Sequence, residues 1–394
     1  MSVIEVEWLS PDGVGGARHG RGSIRVPGTI PGDRVEVAEQ SRNGVTVTAA
    51  MTALVTPSPH RRLPPCRFDD RCGGCDLSVL KPEARPSVLG RVAQRALELP
   101  SLPTFVGSPN PHAHRARVKF AIRDEKIGFL AERSHAIVDV DGCLAARSEV
   151  DDGLRRVRAL PTLAGLSAVE VRSNGERVVF AFEGDKTLPD ATFQAICTLG
   201  DVALGGRRIA GDPTLLLKVA GVVLQASPGS FYQVNLEVDE LLATYVRDTV
   251  VGWSAERVVD LYGGIGNLGL PIAVSGVPVV SVEMAGASAA DGAAAARRLG
   301  APWRGVNADV GRWDPSREAF DVAVLDPPRA GAPGVVERVI RNRPRGIVYV
   351  SCNVSAAARD LRPALAAGYR IDDVRVYDMF PDTRHFETVI TLRR

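Results

Sequence analysis

Over the first 56 residues apolar and polar positions alternate in short runs: Ile4-Glu5-Val6-Glu7-Trp8, Gly20-Arg21-Gly22-Ser23-Ile24-Arg25-Val26, Asp33-Arg34-Val35-Glu36-Val37 and Val45-Thr46-Val47-Thr48. A period of two puts one face of a strand inward, and short strands this closely spaced, broken by glycine turns, predict a small β-barrel over 1–56. Pro57, Pro59, Pro64 and Pro65 form a stiff linker, so a domain boundary is drawn there and a central domain is expected over 57–225. Within it Arg115-Ala116-Arg117-Val118-Lys119-Phe120-Ala121 alternates basic with apolar side chains, as a strand with one cationic face does. Val169-Glu170-Val171 and Val178-Val179-Phe180-Ala181-Phe182 add further strands of a mixed sheet.

Beyond about residue 226 the pattern changes. Val258-Val259-Asp260-Leu261-Tyr262, Val279-Val280-Ser281-Val282-Glu283, Val322-Ala323-Val324-Leu325-Asp326 and Gly346-Ile347-Val348-Tyr349-Val350-Ser351 are short apolar runs, with an Ala-rich helical stretch from Ala285 to Leu299 between two of them. Buried strands alternating with helices predict an α/β doubly wound parallel sheet over 226–394.

Of the 394 residues, 45% are hydrophobic and 24% charged, which excludes a disordered or fibrous chain. A net charge of +2, from 48 basic and 46 acidic side chains, supplies no bulk positive field, so any nucleic-acid contact rests on local patches. The most basic section is 57–150, with 15 basic against 11 acidic side chains, and its cationic strand reads either as a solvated face or as one turned to RNA. The start of the chain lacks the basic and apolar regions of a signal peptide, and no stretch approaches the roughly 18 uninterrupted apolar residues of a membrane helix. The expected location is the cytoplasm, without a membrane.

Chemistry gathers at predicted strand ends, where open parallel sheets bind ligands. Tyr262-Gly263-Gly264-Ile265-Gly266-Asn267 lets backbone approach a cofactor, and Glu283 at the next strand end can hold a ribose diol; this Gly-Gly-x-Gly pattern lacks the third glycine of a dinucleotide fingerprint. Asp326-Pro327-Pro328-Arg329 and Ser351-Cys352-Asn353 follow two later strands, the prolines fixing an extended turn and the cysteine standing where a nucleophile belongs. His385 and Glu387 share a face at a strand entry near the C-terminus. Cys197 is expected to be a small buried hydrophobe. Cys66, Cys72 and Cys75, with Cys143 as a fourth thiol, have metal-site spacing that leaves iron-sulfur and zinc both open.

With these residues in order, the chain resembles the S-adenosylmethionine-dependent RNA uridine-5 methyltransferases, in the branch that carries an iron-sulfur cluster and acts on 23S rRNA. The resemblance implies a class I methyltransferase domain, an N-terminal OB-like barrel of the TRAM type, and a central α+β iron-sulfur domain. It implies that Cys66, Cys72, Cys75 and Cys143 hold a 4Fe-4S cluster. Ser230-Phe231-Tyr232-Gln233-Val234-Asn235 is similar to the family's opening motif, in which Gln233 would contact the methyl donor. By the same correspondence Tyr262, Gly264, Asn267, Glu283 and Asn307 line the donor site, Asp326 lies between donor and base, Cys352 is the nucleophile and Glu387 the general base. Gly263 departs from the pattern, since the family usually has Cys there.

The implied reaction adds the Cys352 thiolate at carbon 6 of uracil, so that carbon 5 can attack the sulfonium methyl; Glu387 then removes the carbon 5 proton. Arg329 is the candidate for lowering the thiol's pKa. The expected partner is RNA, most of all 23S rRNA, with the T-loop uridine of tRNA as the alternative substrate and a non-catalytic RNA-binding protein as the alternative of another class. A cytosine-5 methyltransferase usually carries Pro-Cys where this chain has Ser-Cys-Asn, and a nicotinamide oxidoreductase leaves Cys352 and Glu387 unexplained. No feature demands an obligate protein partner or more than a monomer.

Overall fold

The computed structural model describes residues 2–131 and 134–394. At the N-terminus, six strands form one sheet in the order Ser2–Glu5, Arg34–Asn43, Thr46–Thr56, Gly22–Val26, Gly15–His19 and Trp8–Leu9. The first and last of these belong to one continuous run of chain, so the sheet closes into the predicted barrel. The inward positions of the alternating runs, Val6, Ile24, Val26, Val35, Val37 and Val47, fill it. Buried Asp33 ties the barrel to the linker: it accepts from the Ile30 and Ser58 backbone amides at 2.8 and 2.9 Å and from Arg61 Nε at 3.0 Å.

The central region is a seven-stranded mixed sheet in which Arg117–Arg123 lies between Lys126–Leu130 and Leu166–Ser173, covered by helices Ser148–Arg158 and Asp190–Cys197. Cys197 ends the second helix only half-buried. The cationic strand is largely neutralised in the fold. Arg117 Nη1 reaches Glu170 on the adjacent strand at 2.9 Å, and Lys119 reaches Glu183 on the strand beyond it at 2.7 Å, so the alternating bases answer acids of the same sheet.

The C-terminal sheet runs Trp303–Asn307, Val279–Glu283, Val258–Leu261, Val322–Leu325, Gly346–Ser351, Glu387–Arg393, Arg370–Tyr377 and Thr104–Val106. The first five are parallel, and Glu387–Arg393 inserts antiparallel beside Gly346–Ser351. The fully buried runs, such as Val322–Leu325, are central strands covered on both faces, as continuous apolar sequence requires. Two pieces of 57–225 pack with this sheet: Thr104–Val106 extends its edge, and hairpin Leu215–Val219 with Val222–Ala226 shares a core with helix Leu236–Gly252.

Helix Arg85–Ala96 joins the parts. Its buried stripe, Val88, Leu89, Val92 and Ala93, packs with Leu9 and Ile30 of the barrel, Leu77 and Leu80 after the cysteines, and Val354, Val376 and Phe386 of the C-terminal domain. Truncating fully buried Leu89 to Ala would cost about 2–5 kcal/mol on this account. Among the described residues no helix is long and apolar enough to cross a membrane.

Candidate active site

The parallel strands end on one side of the C-terminal sheet, and the sequence-predicted residues meet there. After Val258–Leu261 the chain turns sharply: Tyr262 takes a left-handed φ of 64°, and the amides of Tyr262 and Gly263 both donate to the Val282 carbonyl, at 3.0 and 3.2 Å. A non-glycine residue held there is strain that the neighbouring strand end maintains. Gly264, also left-handed, donates its N–H to Glu283 Oε2 at 2.9 Å, and the Ala285 N–H reaches Oε1 at 2.6 Å. Each carboxylate oxygen keeps a lone pair for a further donor.

Asn307 and Asn267 hold the site's frame. Asn307 Nδ2 donates to the carbonyls of Glu283 and Met284, at 2.8 and 3.0 Å, which fixes the strand end that carries Glu283. Asn267 Nδ2 donates to Asp239 Oδ1 at 2.8 Å, while its own carbonyl oxygen is buried without a partner. Gln233 is buried just before helix Leu236–Gly252, whose N-cap Asn235 accepts from the Val238 amide at 3.3 Å. Asp239 escaped the sequence reading because one acid in the first turn of a helix looks like an ordinary favourable end charge.

At Gly263 an added Cβ would lie 2.0 Å from Ser281 Oγ and 2.6 Å from Asp260 Oδ2. The Ser281 hydroxyl donates to that same Asp260 oxygen at 3.2 Å, so a hydroxyl-acid pair fills the space that a side chain at 263 would need. Glycine at 263 is therefore the residue that this local packing accommodates.

The two candidate catalytic groups lie on adjoining strands. Ser351 is in register with Thr388, which leaves Cys352 and Glu387 at the next position outward on each. The Ser351-Cys352-Asn353 motif holds Cys352 in a tight network. Ser351 Oγ donates to the Asn353 carbonyl and accepts the Asn353 amide, both at 3.0 Å. The Asn353 side chain caps helix Val354–Ala366, accepting from the Ser355 and Ala356 amides, and donates to the Arg329 carbonyl at 3.0 Å. Cys352 therefore stands at a helix N-terminus, where the positive end of the dipole favours a thiolate. A cavity of about 340 Å³ opens beside it, walled by Arg329, Asn353, Arg384 and His385 with Asp12 from the barrel.

Burial pushes the Cys352 thiol up to about 11, the Glu387 carboxylate adds to that, and the Arg329 guanidinium opposes it by charge and hydrogen bond. Burial and the neighbouring Asp326 hold Glu387 well above the ordinary carboxylate range, and its Oε2 is buried without a partner. Burial raises Asp326, Asp239 and Asp260 to about 7 each. Burial, with Arg329 next in effect, lowers His385 to about 4, so its ring is neutral at pH 7.

Cys66, Cys72, Cys75 and Cys143 line a separate cavity of about 380 Å³, and all four are free thiols. Burial pushes Cys75 up to about 12 and also raises Cys72 and Cys143, while Arg115 lowers both Cys75 and Cys143. Among the described residues no three His, Cys, Asp or Glu side chains stand close enough to hold a metal ion.

Comparison with known proteins gives the same outline. A family model described as tRNA (uracil(54)-C(5))-methyltransferase, TRAM domain, matches residues 2–60, and one described as tRNA (Uracil-5-)-methyltransferase matches residues 314–394. The 23S rRNA (uracil(1939)-C(5))-methyltransferase RlmD of Pectobacterium atrosepticum is 32% identical, the match covering 98% of this chain and 92% of that protein. RlmD of Pseudomonas putida is likewise 32% identical over 98% of this chain and 92% of its own. Among solved structures, the Pyrococcus abyssi tRNA (uracil-54, C5)-methyltransferase in complex with S-adenosyl-L-homocysteine superposes with a TM-score of 0.80 at 26% identity, covering 99% of this chain and 100% of that one. Kinship along the whole length, with a barrel in front of a parallel-sheet domain, means that this chain belongs to the S-adenosylmethionine-dependent RNA uracil-5-methyltransferases.

Proposed function

We propose that this chain methylates carbon 5 of a uridine in 23S rRNA through a covalent bond between Cys352 and carbon 6 of the uracil. The observation that carries the reading is the pairing of the Cys352 thiol with the buried Glu387 carboxyl on adjoining strands, with Cys352 lining a cavity of about 340 Å³. The Cys352 thiolate adds at carbon 6 and the electron pair moves through carbon 5, which takes the methyl from the sulfonium; that sulfur leaves as a neutral thioether. Glu387 accepts the carbon 5 proton, and the returning electron pair expels the thiolate. Arg329 offsets the thiolate charge.

Donor contacts are assigned to Gln233, Tyr262, Gly264 and Glu283, with the Glu283 carboxylate taking a ribose diol. Asn267 and Asn307 act by holding the walls of that crevice. Asp326, beside Glu387, lies between donor and base. The uridine must leave its stack to reach Cys352, which costs a few kcal/mol and favours a loop. The barrel contributes Asp12 to the cavity wall, which supports a role for that module in presenting RNA to Cys352.

Cys66, Cys72, Cys75 and Cys143 are the proposed ligands of a 4Fe-4S cluster. The four thiols surround one cavity, and Arg115 offsets the charge that four thiolates bring. Bound there, a cluster would cross-link Cys66–Cys75 to Cys143 across the central domain. Methyl transfer moves no net electrons, so the role assigned to it is structural.

The 23S rRNA assignment follows the relatives at 32% identity, against the tRNA enzyme at 26%. Anaerobically purified protein with methyl-labelled S-adenosylmethionine, offered unmodified 23S rRNA and tRNA separately, tests it after digestion to nucleosides. Label in 5-methyluridine from 23S rRNA is expected. Label only in tRNA would reverse the substrate, and no label in either would leave an RNA-binding protein.

A further inference from the structure

His385 lies in a loop, residues 378–386, between strands Arg370–Tyr377 and Glu387–Arg393, and Glu387 is the first strand residue after it. A loop of this length is ordinarily the least constrained part of a fold. Here one earlier stretch of chain grips it throughout. Buried Arg85 forks onto the Asp378 carboxylate through Nε at 2.8 Å and Nη2 at 2.6 Å, and Nη2 also donates to the Thr383 carbonyl at 3.1 Å. Arg62 pairs with Asp382 and donates Nε to the Ser78 carbonyl at 2.9 Å. The Leu77 amide donates to the Asp382 carbonyl at 3.0 Å, on a residue with a left-handed φ of 63°. Asp76 accepts the Arg384 amide at 2.8 Å and pairs with the Arg384 guanidinium.

We propose that Asp76 and Arg85 are positioning residues for methyl transfer: they fix the loop that sets His385 in the nucleophile cavity and Glu387 beside Cys352. Asp76 directly follows Cys75, which lines the cysteine cavity. The inference rests on the roles proposed above for Cys352 and Glu387.

The two grips differ in a way that makes the idea testable. Arg85–Asp378 is buried and its loss threatens the fold, whereas Asp76 and Arg384 are about one-third exposed, and a pair so open to water contributes little stability. Asp76→Asn should therefore leave the protein folded while loosening the loop. A displacement of about 1 Å at a reacting group is enough to cost a hundredfold in rate.

The experiment compares full-length, anaerobically purified wild type, Asp76→Asn, Asp76→Glu and Cys352→Ala. It measures kcat and KM for methyl transfer, melting temperature, and the pH dependence of Cys352 alkylation by iodoacetamide, resolved by peptide mass. For Asp76→Asn, kcat should fall by about tenfold or more with KM for the donor little changed. Its Cys352 alkylation midpoint should move down in pH, because the Glu387 charge no longer stands against the thiol, and Asp76→Glu should restore both. Wild-type kcat and alkylation in folded Asp76→Asn would overturn the inference. Should Asp76→Asn fail to fold, Arg384→Gln removes the guanidinium half of the same contact, leaving the Arg384 amide bond, and is judged by the same readouts. Methylation by Cys352→Ala would instead overturn the nucleophile assignment, a distinct failure from that of the loop.

Discussion

Thr388 donates its hydroxyl to the Ser351 carbonyl at 3.0 Å, which pins together the two strand ends that carry Glu387 and Cys352. This link, one residue behind both groups, joins the two strand ends from which the proposed nucleophile and the proposed base project. Preorganisation of this kind is what allows one base to serve after the covalent bond has formed.

Glu387→Gln preserves the shape of that arrangement and removes its proton acceptor. Thiolate addition and methyl transfer should proceed, while loss of the carbon 5 proton and release of the thiolate should stall. A protein-RNA adduct carrying the labelled methyl should accumulate and appear as a slow band on a denaturing gel. Cys352→Ala should give neither band nor turnover, and an adduct in that variant would place the nucleophile elsewhere.

The pH profile follows from two raised groups. Cys352, at about 11 in the free protein, and Glu387, well above its ordinary range, both work deprotonated. The rate at subsaturating RNA should therefore climb with pH through neutrality and still be climbing at about pH 8.5, the ordinary cysteine value. Arg329 pulls both groups down, so Arg329→Gln should displace the rising limb to higher pH and slow Cys352 alkylation at pH 8. An unchanged alkylation rate would show that the helix N-terminus alone sustains the thiolate.

Much of this fold was legible because its signals are local. The run from Val258 and the Ala-rich stretch from Ala285 became strand Val258–Leu261 and helix Gly286–Leu299, since buried parallel strands and small-residue helices write themselves in composition. The candidate site was legible through its motifs, and residues such as Asn353, a helix cap and loop tie at once, account for why those motifs look as they do. What stayed hidden depends on distant partners. Arg85 and Asp378 are 293 residues apart and carry no pattern. Thr104–Val106 is too short to show periodicity, and Arg117 reads as a free cation until Glu170 is seen beside it.

Gly263 offers a direct test of packing under the donor. Gly263→Cys restores the family's usual residue but drives Cβ into Ser281 Oγ and Asp260. Overpacking of this kind typically costs about 1–3 kcal/mol, and it should appear as a lowered melting temperature with weaker donor binding. Ser281→Ala removes the closest clashing atom, so Gly263→Cys with Ser281→Ala should recover part of both losses. Strict additivity of the two single variants would mean that the hydroxyl is not the obstacle.

The buried acids make a final prediction, about donor and product. Asp239, Asp260 and Asp326 sit at about 7 in the folded chain against 3.8 when exposed, so between these values the folded state holds more protons than the unfolded one. Stability contributed by these groups is thus lost as pH rises through about 7, the opposite of a salt-bridged carboxylate. A sulfonium donor brings positive charge to this crevice and its thioether product does not, while the rest of the two molecules is the same. The rise in melting temperature given by S-adenosylmethionine should therefore exceed that given by S-adenosylhomocysteine by more at pH 8 than at pH 5, because only at the higher pH are the acids ionised to meet the sulfonium. Thermal scans of the chain with each ligand at both pH values decide it: equal differences at the two pH values would mean that the acids lie too far from the sulfur to distinguish donor from product, and Asp326→Asn should reduce whatever pH dependence is found.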